Sequence, residues 1–261
     1  MNQSLWISKT GLSAQDTRLT TIANNLANAS TVGFKRDNVV FEDLLYQIKR
    51  QPGAQSSQNS QLPSGMQLGT GVRITGTQKE FTEGSIEITE KALDVAVVGR
   101  GFFEVLLPDG SSAYTRNGQF HLNSNGEVVT GRGYVVQPGL TVPNNAQSIT
   151  ISTDGIVEVA LAGQATPSQI GTLQVVDFIN PAGLQAMGSN LFVETAASGN
   201  PQQGTPGSNG LGSIEQGALE NSNVEVVEEL VNMITTQRTY EMNSKVISTA
   251  DQMLQFISQN L

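Results

Sequence analysis

The stretch SNVEVVEELVNMITTQRTYEMNSKVISTADQMLQFISQNL (222–261) places apolar side chains seven residues apart. Side chains at this spacing form one stripe on an α-helix, and such a stripe is typical of a helix that packs against another helix. Ser222 or Asn223 can cap the first free N–H groups, and the glutamates that follow suit the positive end of the helix dipole. We predict a long C-terminal helix with a seam of Val226, Leu230, Met233, Tyr240, Ile247 and Leu254, extended by Ala250, Ile257 and Leu261.

The first 30 residues show the same spacing. Gly11 interrupts the pattern at a cost of about 1 kcal/mol, and its lack of a side chain would let another backbone approach closely. The pattern ends where Val32 and Gly33 break the helix. One stripe alone fits an ordinary helix on a globular core, but two stripes at opposite ends favour seams that need partners. The predicted N-terminal seam consists of Leu5, Leu12, Leu19, Ile22 and Leu26.

Between the helices the period changes from seven to two. Alternating apolar residues predict strands in LDVAVVG (93–99), GFFEVLL (101–107), SITIS (148–152), GIVEVAL (155–161) and TLQVVDFI (172–179). Tight turns are expected at PDG (108–110), NG (117–118), NG (125–126) and DG (154–155). The predicted fold class is therefore α+β, with terminal helices that form a coiled-coil core domain and an inserted, mainly antiparallel β-domain.

The expected domain boundaries follow from these patterns. Residues 1–35 and 220–261 would form the discontinuous helical domain, 86–194 the β-domain and 195–219 a return linker. Residues 36–85 would be a connector. It contains the polar stretch YQIKRQPGAQSSQNSQLPSGMQLG (46–69), which fits either a linker or an extended arm that orders on contact with a neighbour. The arm is expected at about 46–65, with Tyr46, Arg50, Gln51, Pro52, Gly53 and Pro63 as its distinctive residues.

Composition excludes several classes of function. The net charge of −9 disfavours nucleic acid as a partner. The absence of Cys excludes disulfides, thiolate metal sites and cysteine nucleophiles. The start of the chain lacks a basic region followed by an apolar run, so we expect no cleaved secretory signal, and no stretch is long and apolar enough to span a membrane.

Residues for catalysis are scarce. His121 is the single histidine, and neither a GxSxG nucleophile elbow nor a phosphate-binding glycine loop occurs. We expect His121 to be an ordinary strand or surface residue, and we expect no catalytic residue, metal or cofactor. Lys35 and Arg36 fit a solvated turn or a contact to an acidic neighbour such as the start of the last helix. Arg238 and Tyr240 fit either a helix-face pair or an interface anchor.

Two strings carry a family resemblance: IANNLANASTVGFKR (22–36) and GALENSNVEVVEELVNMITTQRTYEMNSKVISTADQML (217–254). They resemble the terminal signatures of the bacterial flagellar axial proteins of the rod and hook. FTEGSIEITEKALDVAVVGRGFFEV (81–105) and AYTRNGQFHLNSNGEVVTGRGYVVQ (113–137) look like the β-domain that these proteins share. The positions that match the family motif are Asn24, Asn25, Asn28, Gly33, Phe34, Lys35, Arg36, Ser222, Asn223, Gln237 and Arg238.

Within that family, FEDLLYQIKRQPGAQSSQNSQLPSGMQLGTGVR (41–73) is similar to the segment that marks distal rod members. The resemblance implies a structural subunit that polymerises helically into the rigid distal rod, surrounds the export channel and transmits torque to the hook. It implies export by the flagellar type III apparatus and a place in the rod where it crosses the periplasm. The implied partners are other copies, proximal rod and hook-type axial proteins, the rod cap, and the peptidoglycan-associated and outer-membrane-associated ring proteins.

Three alternatives remain open at this point. The chain could be another rod or hook member of the family, such as the proximal rod protein. It could be an exported hydrolase with the β-domain as its catalytic unit, or a monomeric binding module. The terminal heptads would be needless in a monomeric binding module.

Overall fold

A computed structural model of the chain describes residues 3–53, 55–57, 60–61, 63–164 and 166–259. Leu261 and four positions of the expected arm (54, 58, 59 and 62) lie outside the described residues, as does the side chain of Ile257. The chain divides into two compact units. The first, called here the helical unit, comprises Met1–Leu26, Asp37–Gln78 and Glu225–Leu261; the second, the β unit, comprises Ala27–Arg36 and Lys79–Val224.

A helix lies at each end of the chain, as the heptads predict. Helix α1 covers Gln3–Ala27 and helix α2 covers Val226–Gln259, so the two are about 37 Å and 51 Å long. No helix in the described part of the chain is both long and apolar enough to cross a membrane.

Two expectations about helix ends are wrong. Helix α1 ends at Ala27 and not at Val32, because a turn follows in which Thr31 donates from its backbone N–H to the carbonyl of Asn28 (3.1 Å). At the other helix, Ser222 accepts from the N–H of Val224 (3.2 Å), and Asn223 bonds elsewhere in the β unit. Neither residue therefore caps α2.

The helical unit also contains short strands between its two helices. They are β1 Asp37–Asp43, β2 Gln47–Arg50, β3 Gln55–Ser57, β4 Ser60–Gln61, β5 Met66–Leu68 and β6 Val72–Lys79. Strands β2 and β5 pair antiparallel, as do β3 and β4, and β1 pairs with β6.

The β unit holds the remaining strands and one short 3₁₀ helix at Pro181–Gly183. The strands are β7 Ile86–Ile88, β8 Val95–Val98, β9 Phe103–Leu106, β10 Ser112–Thr115, β11 Phe120–Leu122, β12 Val128–Thr130, β13 Val135–Val136, β14 Ala146–Ile151, β15 Ile156–Leu161, β16 Ser168–Thr172, β17 Val175–Asp177, β18 Gln185–Gly188, β19 Leu191–Val193, β20 Gln202–Gly204, β21 Ser213–Gln216 and β22 Ala218–Glu220.

In the described part of the β unit, the strand pairs are all antiparallel. One sheet has seven strands in the order β11-β12-β13-β9-β10-β19-β18, and a second has three in the order β14-β15-β16. Strands β20, β21 and β22 pair with β17, β8 and β7, so the stretch 195–219 contributes ladder strands to the unit. All five predicted strands are confirmed, and so is an α+β fold in which a mainly antiparallel β region lies between the two terminal helices in the sequence.

The core of the β unit forms on the strand faces whose side chains are buried. In β9, Phe103 and Val105 are fully buried while Leu106 reaches 38% exposure, because successive side chains point to opposite faces. Their cluster takes in buried residues of β8, β12, β14, β15 and β21. A second cluster is aromatic. In it Phe102, Tyr114, Phe178 and Phe192 meet edge to face, with centroids 4.8 to 6.0 Å apart.

Three of the four predicted turns join paired strands. They connect β9 to β10, β11 to β12 and β14 to β15, and Gly110, Gly126 and Gly155 take positive φ there. The turn at 117–118 instead links β10 to β11, which do not pair with each other. Gly118 is needed there for a different reason: a Cβ would collide with the carbonyl oxygen of Val95.

Candidate assembly surfaces

The predicted seam residues fall into two groups. Ile22 is buried, and the other α1 positions are half-buried: Leu5, Leu12, Leu19 and Leu26. On α2, Met233 and Ile247 are half-buried, whereas four positions are 39 to 43% exposed: Val226, Leu230, Tyr240 and Leu254. The seam of α2 is thus only partly covered within one chain.

The side chains that α2 buries form a line along the helix, and they are polar or small. Glu229, Thr236 and Ala250 are 1, 2 and 3% exposed, and they follow the same seven-residue repeat, three positions after the apolar seam. Asn243 occupies the remaining place in this line and faces α1, where a Cβ on Gly11 would lie 3.2 Å from its side-chain nitrogen. The close approach expected at Gly11 therefore exists, but it is made by a side chain and not by a backbone.

Helix α2 carries a second apolar surface that the heptad pattern did not reveal. It turns away from the buried line, and its members are 49 to 69% exposed. Because they recur at spacings of three, four, seven and eight, they share one side of the helix. We call this the outer face of α2; it consists of Val227, Val231, Ile234, Met242, Val246, Met253 and Phe256. Gln237 and Arg238 are exposed as well.

A third apolar surface lies at the base of the expected arm. Leu45 is 90% exposed, and Tyr46 and Ile48 are 53 and 58% exposed, beside Met66 on the paired strand β5. Gly65 permits this hairpin, because a Cβ there would lie 2.5 Å from the carbonyl oxygen of Arg50. The other distinctive arm residues are exposed: Arg50, Gln51, Pro52, Gly53 and Pro63.

Two asparagine side chains of the family motif form hydrogen bonds with backbone groups near the ends of the helices. Asn25 is buried and makes two bonds of 2.9 Å to Asp37, donating to its carbonyl and accepting from its N–H. Asn223 accepts from the N–H of Arg36 (2.8 Å) and donates to the carbonyl of Glu80 (2.8 Å). These bonds fix where the chain runs between helix and strand, which explains why amides rather than aliphatic residues stand there.

The remaining N-terminal motif residues mainly hold the local backbone in its conformation. Asn28 holds the turn after α1 through Thr31, and Asn24 is exposed. Gly33 has φ +68°, and a Cβ there would lie 2.7 Å from the backbone of Arg116, so only glycine fits. Phe34 is buried beneath the ammonium of Lys79, 5.2 Å from the centre of its ring.

Lys35 is the end of a buried charge cluster rather than a solvated turn. Its ammonium lies 2.7 Å from the carboxylate of Glu220 and donates to the carbonyl of Thr82 (2.6 Å). Arg116 contacts the same carboxylate at 2.8 Å and donates to the carbonyls of Gly99 and Gly101. Burial lowers the pKa of Lys35, while the charge of Glu220 opposes that shift. The acidic partner expected for Lys35 exists, but it precedes the last helix.

The single histidine stands apart from any cluster of metal-binding side chains among the described residues. His121 lies exposed on β11, opposite Val129 on β12, as expected for an ordinary strand histidine. Within that same part of the chain, no cluster of three or more His, Asp or Glu side chains could hold a metal ion. The described surface instead carries exposed apolar side chains on α2 and at the base of the arm.

Known families match three parts of the chain. Residues 5–35 match the flagella basal body rod protein family, 96–159 match the D1 domain of the flagellar hook protein FlgE/F/G, and 215–260 match the C-terminal region of the flagellar basal body rod FlgEFG protein. These are the two helix-bearing ends and the core of the β unit.

Full-length relatives have the same assignment. The flagellar basal-body rod protein FlgG of Buchnera aphidicola subsp. Schizaphis graminum is 55% identical over 99% of this chain and 100% of its own. FlgG of Caulobacter vibrioides is 48% identical over 98% of both chains, and FlgG of Borreliella burgdorferi is 48% identical over 97% of both. Membership of this family implies assembly with other flagellar rod and hook proteins. Because the family is structural, the alternative of an exported hydrolase is excluded. The chain belongs to the FlgG family of flagellar basal-body rod proteins.

Proposed function

We propose that this chain is a subunit of the distal rod of the flagellar basal body, where copies polymerise helically into a rigid shaft. The observation that carries the proposal is the exposed apolar surface of α2. Among the described side chains of this helix, eleven large hydrophobic ones are 39 to 69% exposed. Fully burying such a side chain is worth about 1.5–3 kcal/mol, so contacts between copies would stabilise the helix strongly.

The terminal helices would form the inner wall of that shaft, around the export channel. Both belong to the helical unit, which supports the idea that residues 1–35 and 220–261 act together as a coiled-coil core domain. Within one chain α2 buries a polar line and leaves much of its apolar seam exposed. Neighbouring copies would complete the seam, and ordering would then depend on concentration.

The β-domain, at about 86–194 with the return linker 195–219, would form the outer wall. The connector 36–85 would carry the arm. The exposed side chains of Leu45, Tyr46 and Ile48 support a contact between the arm and an adjacent subunit. Such a contact would stiffen the shaft against bending while it transmits torque to the hook.

The proposed surroundings follow from a rod that crosses the periplasm. At its inner end the polymer would meet the proximal rod proteins and at its outer end the hook-type proteins. It would grow beneath a rod cap and turn within the peptidoglycan-associated and outer-membrane-associated rings. The flagellar type III export apparatus would deliver each subunit without a cleaved signal peptide.

Electron microscopy of concentrated protein tests the proposal. The wild-type chain should form rods or tubes, while Leu19→Asp and Ile247→Asp should abolish them and leave the β unit folded. Ile179→Asp is the matched control, because Ile179 is 75% exposed and belongs to the β unit and to neither seam. Normal filaments from both seam variants, or equal loss in the control, would contradict the role assigned to the helices.

A further inference from the structure

Among the described residues, four methionine side chains are more than half exposed: Met66, Met187, Met242 and Met253. The last two lie on the outer face of α2, at 61 and 56% exposure. They are eleven residues apart, which is just over three full turns, so the two residues share one side of the helix about 16 Å apart along its axis.

The surroundings of these two thioethers are apolar on the same side. Val246, at 49% exposure, lies between them, and Phe256 follows Met253 by three residues. Methionine is flexible and polarizable, so it fills gaps in a contact whose exact shape is set by the partner. A contact formed over this side of α2 has to remove both thioethers from water.

We propose that Met242 and Met253 form a modification site at which oxidation of the thioethers controls whether a subunit can be added. The inference rests on the proposed function, because it requires that copies of the chain bury the outer face of α2. The oxidant is a peroxide. A sulfur lone pair attacks one peroxide oxygen, the O–O bond breaks, and a sulfoxide and water are formed. Sulfur loses two electrons and the peroxide gains them.

The physical consequence is a change of polarity at a surface that must become dry. A sulfoxide is polar and chiral, and it disrupts apolar contacts made by methionine. If it is buried without a hydrogen-bond donor, each sulfoxide should weaken subunit addition by about tenfold. Both thioethers are accessible in the free subunit and would be shielded in the polymer. The site would thus act before assembly.

The test uses the full chain treated with hydrogen peroxide, with oxidation at each methionine followed by peptide mass spectrometry. Oxidation at both positions should raise the critical concentration for assembly by roughly a hundredfold. Met242→Leu combined with Met253→Leu should assemble normally and resist peroxide, because leucine conserves the volume. Met187→Leu is the matched control, since Met187 is also 61% exposed; it should stay as sensitive as the wild type.

The outcomes separate the two proposals. Wild-type protein that is oxidised at both positions yet assembles normally overturns the modification site, and so does a doubly substituted variant that stays sensitive. Failure of untreated wild-type protein to assemble overturns the proposed function and this inference with it. Slower oxidation of Met242 and Met253 than of Met187 in finished polymers, with equal rates in free subunits, supports both.

Discussion

In the β unit, Phe103, Val105 and Ile214 are 0, 0 and 1% exposed, whereas on α2 of the helical unit Val231 and Ile234 are 55 and 50% exposed. The contrast extends over the described chain. Of its 23 exposed large hydrophobic side chains, 18 belong to the helical unit. The same residue types are thus used in two ways, as an internal core in one unit and as an outward surface in the other.

The difference indicates where each unit obtains its stability. The β unit buries its apolar side chains against one another, and the free energy of that burial is available to a single chain. An isolated helix is marginal in water, and tertiary packing supplies most of its stability. We therefore expect the helical unit to gain its largest stabilisation from contacts between chains, which fits membership of a family of structural rod proteins.

The largest expected effect is in the buried charge cluster. Glu220→Gln removes the carboxylate that pairs with both Lys35 and Arg116, and each of the two cations then stays buried without its partner. Breaking a buried pair in this way costs about 3–5 kcal/mol. Urea unfolding of the β unit, followed by its β-sheet circular dichroism, measures the loss.

Glu42→Gln is the matched control for that variant. Glu42 pairs with Arg73 at 2.7 Å, but the two side chains are 49 and 61% exposed. An exposed pair contributes about 0–1 kcal/mol, so this substitution should barely change stability. Equal losses in Glu220→Gln and Glu42→Gln would contradict the distinction between a self-sufficient β unit and an exposed helical unit.

Two isoleucines provide the next test. Ile214→Ala should lower the free energy of unfolding by about 2–5 kcal/mol, because it opens a cavity in a closed core. Ile234→Ala should change monomer stability by less than about 0.5 kcal/mol, because half of its side chain is already in water. In an assembly assay, Ile234→Ala should raise the critical concentration, although it leaves the stability of the monomer almost unchanged. A large loss of monomer stability in Ile234→Ala would show that α2 is already packed.

Sequence patterns predicted the elements but not the surfaces. The heptads located both helices and alternation located five strands, since local periodicity reports which side of an element is apolar. The buried line of α2 does not follow from apolar periodicity, because Glu229 and Thr236 are polar and Ala250 reads as part of the apolar seam, although the three positions belong to one seven-residue repeat. The outer face does not follow from the heptad either, because its apolar residues fall outside the heptad positions of the seam.

The charge cluster shows a second limit. Lys35 and Glu220 are separated by 185 residues, and no local pattern links them. An acidic partner for Lys35 could be expected, but the choice of Glu220 depends on β22 pairing with β7 and bringing the carboxylate beneath the segment 27–36. Long-range ion pairs of this kind follow from topology, which one sequence specifies only through the whole fold.

A smaller effect is expected on how the stability of the β unit depends on pH. Burial raises the pKa of Tyr114 to about 12 from its ordinary value of 10.0. The folded β unit therefore keeps a proton that the unfolded chain has lost, so this contribution to stability is complete below pH 10 and disappears as the pH rises towards 12. Tyr114→Phe should flatten the alkaline part of the curve of stability against pH, measured by urea unfolding. An unchanged slope in Tyr114→Phe would contradict the role of this hydroxyl.

The smallest expected effect reverses the sign and lies in the helical unit. Gly11→Ala should stabilise the chain by up to about 1 kcal/mol, because glycine is a poor residue for the middle of a helix. The new Cβ would lie 3.2 Å from the side-chain nitrogen of Asn243, and the end of that flexible side chain can shift by a few tenths of an ångström. Thermal unfolding of α1 and α2, followed by helical circular dichroism, measures the gain. In an Asn243→Ala background the contact is gone, so the gain should be slightly larger there. A loss of stability in Gly11→Ala that Asn243→Ala relieves would show that the helices are already closely packed at this point in a single chain, unlike the open surface of α2 around it.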